Sequence, residues 1–210
     1  MRGTTWIVGL LVTTCAAACE PCDRARALIA AGQPAQADDL LREAIREDKK
    51  NPALHGWRIV ALASQDRGRD AVGAFKSFLK LGPSPELWST VRAALPVPRP
   101  MPGVDVLARC EEDVTPPVLL ESAAPAYPEA GRLAGLEKDI LVLATVGPKG
   151  TVIYWDWDRV GDWGQAHYAG FGSAAMEAVI KWRFFPALRD GVPVPCDFQA
   201  DMTFRLIKGL

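Results

Sequence analysis

Two periodicities divide the chain. From Asp23 to about Leu95, apolar residues recur at helical spacing; from Asp139 onward they alternate every second residue. In the first part Ala37, Leu41, Ala44 and Ile45 fall on one helix face by the i, i+4, i+7, i+8 rule. Helices are predicted over about 23–31, 35–48, 53–66 and 70–81, with a capping helix over 86–94. In the second part Ile140, Val142, Ala144 and Val146 share a strand face, and 147–150 (Gly-Pro-Lys-Gly) signals a turn before a return strand from Thr151 to Val160. Ser173 offers an N-cap to a helix whose stripe is Ala175, Ala178, Val179 and Trp182, and Pro186 blocks any continuation. Asp190-Gly191 reverses the chain, and Phe198, Ala200, Met202, Phe204 and Leu206 then point to one face of a final strand.

The helical half also repeats. Ala37 and Ala71 stand 34 residues apart, and the same offset pairs Leu41 with Phe75, Ala44 with Phe78, and Ile45 with Leu79. Gly32 and Gly68 precede the two units, and Pro83 follows the second; the first has Lys49 where that proline would stand. The spacing resembles a tetratricopeptide repeat pair, with small alanines where paired helices approach; a plain four- or five-helix bundle accounts for the same helices. Two repeats bury little core by themselves. Trp57 sits at helical spacing from Val60 and Ala61 and reads as core, and His55 and His167, in different halves, form no pair.

The ordered series Pro125-Ala126-Tyr127-Pro128, Gly150-Thr151-Val152, 174–187 with Trp182-Arg183-Phe184-Phe185-Pro186-Ala187, Asp190-Gly191 and the strand 198–206 resembles the C-terminal domain of TonB-like energy transducers. The resemblance covers residues 114–210. With the helical spacing of the first half, it implies an α+β chain: an α-helical, tetratricopeptide-like module over 19–94, then a ββαβ domain with a small antiparallel sheet. Two departures stand out: Lys138 where the family carries Gly, and a long aromatic loop over 161–170. Such domains bind protein partners by strand addition, in which a free edge pairs its main chain with an incoming strand. The resemblance places that edge on Phe198, Gln199, Ala200, Asp201, Met202, Thr203, Phe204 and Arg205. Trp163 is a candidate interface aromatic, since Trp is enriched at binding hot spots, whereas Trp155 and Trp157 read as one strand face.

The N-terminus bears on location. Arg2, the apolar run Trp6–Val12 and Ala16-Ala17-Ala18 form a signal peptide over 1–18, too short to span a bilayer as a helix. Cys19 follows the alanines as in a bacterial lipoprotein, which makes it the candidate lipidation site; Cys15 is a second candidate and plain secretion the alternative. Export permits disulfides, so Cys110–Cys196 is a candidate bridge, while Cys19-x-x-Cys22 abuts the signal peptide rather than a strand–helix unit.

Residues 95–113 read as a proline-rich linker; the nine residues 95–103 reach only about 28 Å if extended, far short of a transducer's spacer. The formal net charge of -1 speaks against nucleic acid. No G-x-S-x-G, H-E-x-x-H or phosphate-loop motif is present, and Asp156 and Asp158 read as a solvated strand face, so no enzyme, catalytic residue, metal or cofactor is expected. The expectation is a periplasmic, membrane-tethered protein-binding adaptor of the bacterial envelope. Its partners would include outer-membrane receptors or their periplasmic segments, and a homodimer is compatible. The alternatives are a structural envelope lipoprotein whose helices recruit partners, and within the family a transducer for outer-membrane transport.

Overall fold

A computed structural model describes residues 19–99, 101–156 and 169–206. Five helices come first: α1 (Glu20–Ala30), α2 (Pro34–Glu47), α3 (Pro52–Ala63), α4 (Gly68–Lys80) and α5 (Pro85–Ala94). Four of them carry proline in the first turn, where the missing N–H has no intrahelical partner to lose. Asn51 caps α3 by accepting from the Ala53 N–H at 3.0 Å, and Ser84 caps α5 by accepting from Leu87 at 3.3 Å. The 34-residue offset is realised in packing. Ala37 and Ala71 are both fully buried, and Leu41 and Phe75 fill equivalent places.

One buried carboxylate holds this stack together. Asp38 on α2, 1% exposed, faces Arg58 on α3 (2.8 Å), Arg67 before α4 (3.0 Å) and Arg42 one turn on (3.6 Å). His55 is also buried, its Nε2 against the Lys49 carbonyl at 3.1 Å, and Trp57 packs in the core as expected.

The second half contains β1 (Val104–Arg109), β2 (Val118–Glu121), α6 (Glu129–Leu133), β3 (Lys138–Val146), β4 (Val152–Asp156), α7 (Phe171–Val179), β5 (Arg183–Phe185), β6 (Ala187–Arg189), β7 (Val192–Val194) and β8 (Cys196–Phe204). The main sheet is antiparallel, in the order β1-β8-β3-β4; β2-β5 and β6-β7 form two small ribbons. The anticipated ββαβ order is β3-β4-α7-β8. The α7 N-cap is Gly170 at φ 80°, not Ser173, which lies inside the helix. The Asp190-Gly191 turn has φ 52° and 75°, the two positive values a two-residue hairpin loop needs to join β6 to β7.

The inner face of the sheet is Val142, Ala144 and Val146 of β3 with Phe198, Ala200, Met202 and Phe204 of β8, all buried under α7. Trp182 is fully buried there and donates its indole N–H to the Ala123 carbonyl at 2.9 Å. Tyr127 closes one end, its hydroxyl bonded to the Leu136 carbonyl and its ring edge-on to Phe171 (5.5 Å) and Phe204 (5.9 Å).

The helices are docked on this domain rather than hung from a spacer. Adjacent phenylalanines of β5 point opposite ways, as a strand's period of two requires. Phe184 joins the sheet core, and Phe185 enters the helical core at 5.2 Å from Trp88, 5.5 Å from Phe75 and 6.5 Å from Phe78. Val118, Leu120 and Leu188 accompany Phe185 across the junction, and Arg92 of α5 donates to the Pro116 carbonyl at 2.7 and 2.9 Å. The stretch 95–113, expected as a linker, therefore departs from that reading on two counts. It contains a sheet strand, and the units it joins share a core. Proline content identified the extended run before β1 but carries no information about what lies against it.

Candidate functional site at the sheet edge

The resemblance assigned partner binding to Phe198–Arg205 as a free edge, and the structure corrects this. Strand β8 is interior: it pairs with β3 across nine residues on one side and with β1 across six on the other. The occupant, β1, comes from the stretch before the ββαβ unit. Periodicity missed β1 because Val104, Val106 and Ala108 alternate over too few residues to stand out beside the prolines.

The β1–β8 register decides which groups face where. Thr203 donates its N–H to the Gly103 carbonyl at 2.7 Å, which makes 103/203 a hydrogen-bonded pair. Such pairs alternate in an antiparallel ladder, so Asp105/Asp201, Leu107/Gln199 and Arg109/Asp197 carry the remaining bonds. The main-chain groups of Val106 and Ala108 then face away from β8. Beside them lies a groove of about 330 Å³, floored by Phe184, Phe198 and Leu119 and walled by Pro98 and Pro117.

Little side-chain burial holds β1 in place. Val104 is its one buried residue, Val106 is 40% exposed and Leu107 57% exposed. Arg109 donates to Gln199 Oε1, and Gln199 in turn donates to Asp201 at 2.8 Å. Asp105 stands directly opposite Asp201, and like charges in facing positions weaken a ladder. At the opposite end Cys110 is joined to Cys196 by a disulfide, as anticipated. On β3, directly opposite Thr203 of β8, Asp139 has its pKa lowered, chiefly by the hydrogen bond from Arg205 and further by Thr203.

The N-terminal cysteines pair with each other. Cys19 is disulfide-bonded to Cys22 at the start of α1, which engages the sulfur that acylation of Cys19 would use. Trp163, Cys15, Trp157, Asp158, His167 and the signal segment lie outside the described residues. Among the described residues no helix is long and apolar enough to cross a membrane.

The fold is an antiparallel sheet whose last strand carries an added strand, packed on paired helices. Residues 123–206 match the family of the Gram-negative bacterial TonB protein C-terminal domain, and residues 28–95 match the tetratricopeptide repeat. The chain thus joins a TonB C-terminal-type domain to a tetratricopeptide-type module, and β1 lies outside both matched segments. Among solved structures, the solution NMR structure of the Pseudomonas aeruginosa TonB C-terminal domain is similar at 22% identity and a TM-score of 0.37, covering 48% of this chain and 93% of that one. No curated protein matches the chain.

Proposed function

We propose that this protein is an adaptor of the bacterial envelope that captures extended segments of other proteins by strand addition at β8, the incoming segment taking the place that β1 occupies. The observation that carries the reading is β1 itself. A strand from outside the family-matched unit lies on that edge in register over six pairs with little side-chain burial, so main-chain pairing supplies much of its hold on the edge. An incoming segment would place alternate side chains over the inner face beside Phe184 and Phe198, and those positions would set specificity. The role is one of binding, without catalysis.

Periplasmic location is part of the proposal: TonB C-terminal domains are periplasmic in bacteria, and the chain opens on a signal-like segment. So is tethering through Cys19. Acylation requires the Cys19 sulfur to be unpaired, leaving Cys22 as a free thiol. The mass of the N-terminal peptide from envelope fractions distinguishes a diacylglyceryl thioether from the Cys19–Cys22 disulfide.

The test of strand addition is photo-crosslinking in a Gram-negative host, with benzophenone introduced in place of Asp201. Adducts that recur on every second residue of one partner segment are expected. Adducts without that period, or capture that persists only through residues 20–94, overturn the reading in favour of recruitment by the helices.

A further inference from the structure

We infer that β1 is a tethered plug of this edge, released by reduction of the Cys110–Cys196 disulfide. The inference rests on the strand-addition reading, because a plug matters only if the edge has another occupant. Four observations converge on it. β1 takes up the whole outer edge of β8 from Asp197 to Met202. It keeps one buried side chain among six residues and leaves Val106 and Leu107 partly in solvent. Its register sets Asp105 against Asp201 near one end, where the pairing is opposed by charge. At the other end, one residue beyond β1, the disulfide fixes Cys110 to the first residue of β8.

The covalent bond therefore sits where it holds a strand that side-chain packing holds weakly. β1 belongs to the same chain with the bridge open or closed; the closed bridge pins Cys110 at Cys196 and raises the effective concentration of β1 at its edge beyond what a competing strand in solution can match. With the bridge open, β1 keeps the ladder, Val104, the packing of Ala108 near Val114 and Ala187, and the Arg109–Gln199 contact, against the Asp105–Asp201 repulsion. The residues before β1, Pro96 to Pro102, are rich in proline and donate few main-chain bonds; they are held at Arg99 by Asp66 of the helical module, not by pairing along β8.

The chemistry is thiol–disulfide exchange with a dithiol reductant. One thiolate of the dithiol attacks a sulfur of the bridge, forming a mixed disulfide and releasing one chain thiolate. The second thiol of the dithiol then displaces the other chain sulfur. The protein gains two electrons and two protons as Cys110 and Cys196 thiols, and the dithiol becomes a disulfide. The partner this suits is an extended segment with small or apolar residues at alternate positions, resembling β1 but without an acidic residue facing Asp201.

The experiment uses the chain from residue 19 to 210, oxidised, reduced with dithiothreitol, and as Cys110→Ser/Cys196→Ser. Two readouts are taken together. Hydrogen exchange follows the β8 amides that face β1 (Asp197, Gln199, Asp201, Thr203), and fluorescence anisotropy follows a labelled peptide of residues 103–109 with Asn in place of Asp105. Reduction and the double variant are expected to speed exchange of those amides by about tenfold or more while the β3-facing amides stay protected, and to allow the peptide to bind where the oxidised chain does not. Unchanged exchange overturns the plug. Faster exchange without peptide binding overturns strand addition at β8 and leaves the release of β1 standing. Peptide binding to the oxidised chain that falls on reduction overturns the plug and moves capture to the free edge of β1. Asp105→Asn in the chain itself is expected to slow the exchange of the reduced form, an effect a purely structural disulfide would not produce.

Discussion

Replacing Phe185 by alanine tests whether the two halves fold as one body. Phe185 is fully buried, lies between three rings of α4 and α5, and is the largest side chain the sheet domain sends into the helical core. Losing a buried phenylalanine forfeits about 1.5–3 kcal/mol of transfer free energy. The cavity adds to this, since Phe75, Phe78 and Trp88 are each held by their own helices and cannot all collapse inward. The expected total is about 4 kcal/mol, within the usual range for Phe→Ala in a core. Set against a typical domain stability of about 5–15 kcal/mol, that is a large fraction. The assay is urea unfolding followed by far-UV circular dichroism, with calorimetry in parallel. The wild type should unfold in one transition, and Phe185→Ala in two, with the helices and the sheet separating. Phe184→Ala is the comparison: it should lose a similar amount from the sheet core without dividing the transition. A loss below about 1 kcal/mol for Phe185→Ala, with a single transition retained, would refute a shared core.

Asp38→Ala should destabilise the helical stack by about 2–3 kcal/mol, read by urea midpoint, because it strands the Arg58 and Arg67 guanidinium groups; the magnitude sits below that of a sealed ion pair because these arginines keep contact with solvent. Gly150→Ala should cost about 1–3 kcal/mol, since Gly150 has φ 72° and a Cβ there would strike the Phe184 carbonyl oxygen; a melting temperature equal to wild type would count against it. The lowered pKa of Asp139 gives a small acid sensitivity. Its contribution is complete above the ordinary value of 3.8 and is lost as pH falls through the depressed value, so Asp139→Asn should be slightly less stable than wild type at neutral pH, with the two stability profiles converging in that acid range.

What was legible in the sequence is what local periodicity encodes. The five helices of the first half, the strands read from Asp139 and from Phe198 and the buried stripe of Ala175, Ala178, Val179 and Trp182 all follow from spacing. The Asp190-Gly191 turn follows from backbone sterics. The short strands β1, β2, β5, β6 and β7 were not legible, because three to six residues carry too few repeats of a period and their pairing is non-local. The same reason hid the correction to the binding edge. Nothing in Phe198–Arg205 tells whether its outer side is open; that depends on Val104–Arg109, far away in the chain. Asp38 was hidden differently. Beyond Arg42 on its own helix, its arginine partners Arg58 and Arg67 reach it only when the repeats stack. The double phenylalanine of the Trp182–Ala187 run carries the family likeness, yet its two rings serve two different cores.

The proline-rich stretch has a further consequence once both its ends are seen to be held. Arg99 is paired with Asp66 at 2.7 Å, and β1 follows within a few residues. A ligand that touches both the helical repeats and the sheet therefore meets two sites at a preset separation, not two sites on a swinging tether. Its gain from binding twice would depend on matching that separation, and lengthening the stretch between Leu95 and Gly103 should leave the gain unchanged, whereas a true spacer would dilute it with every added residue.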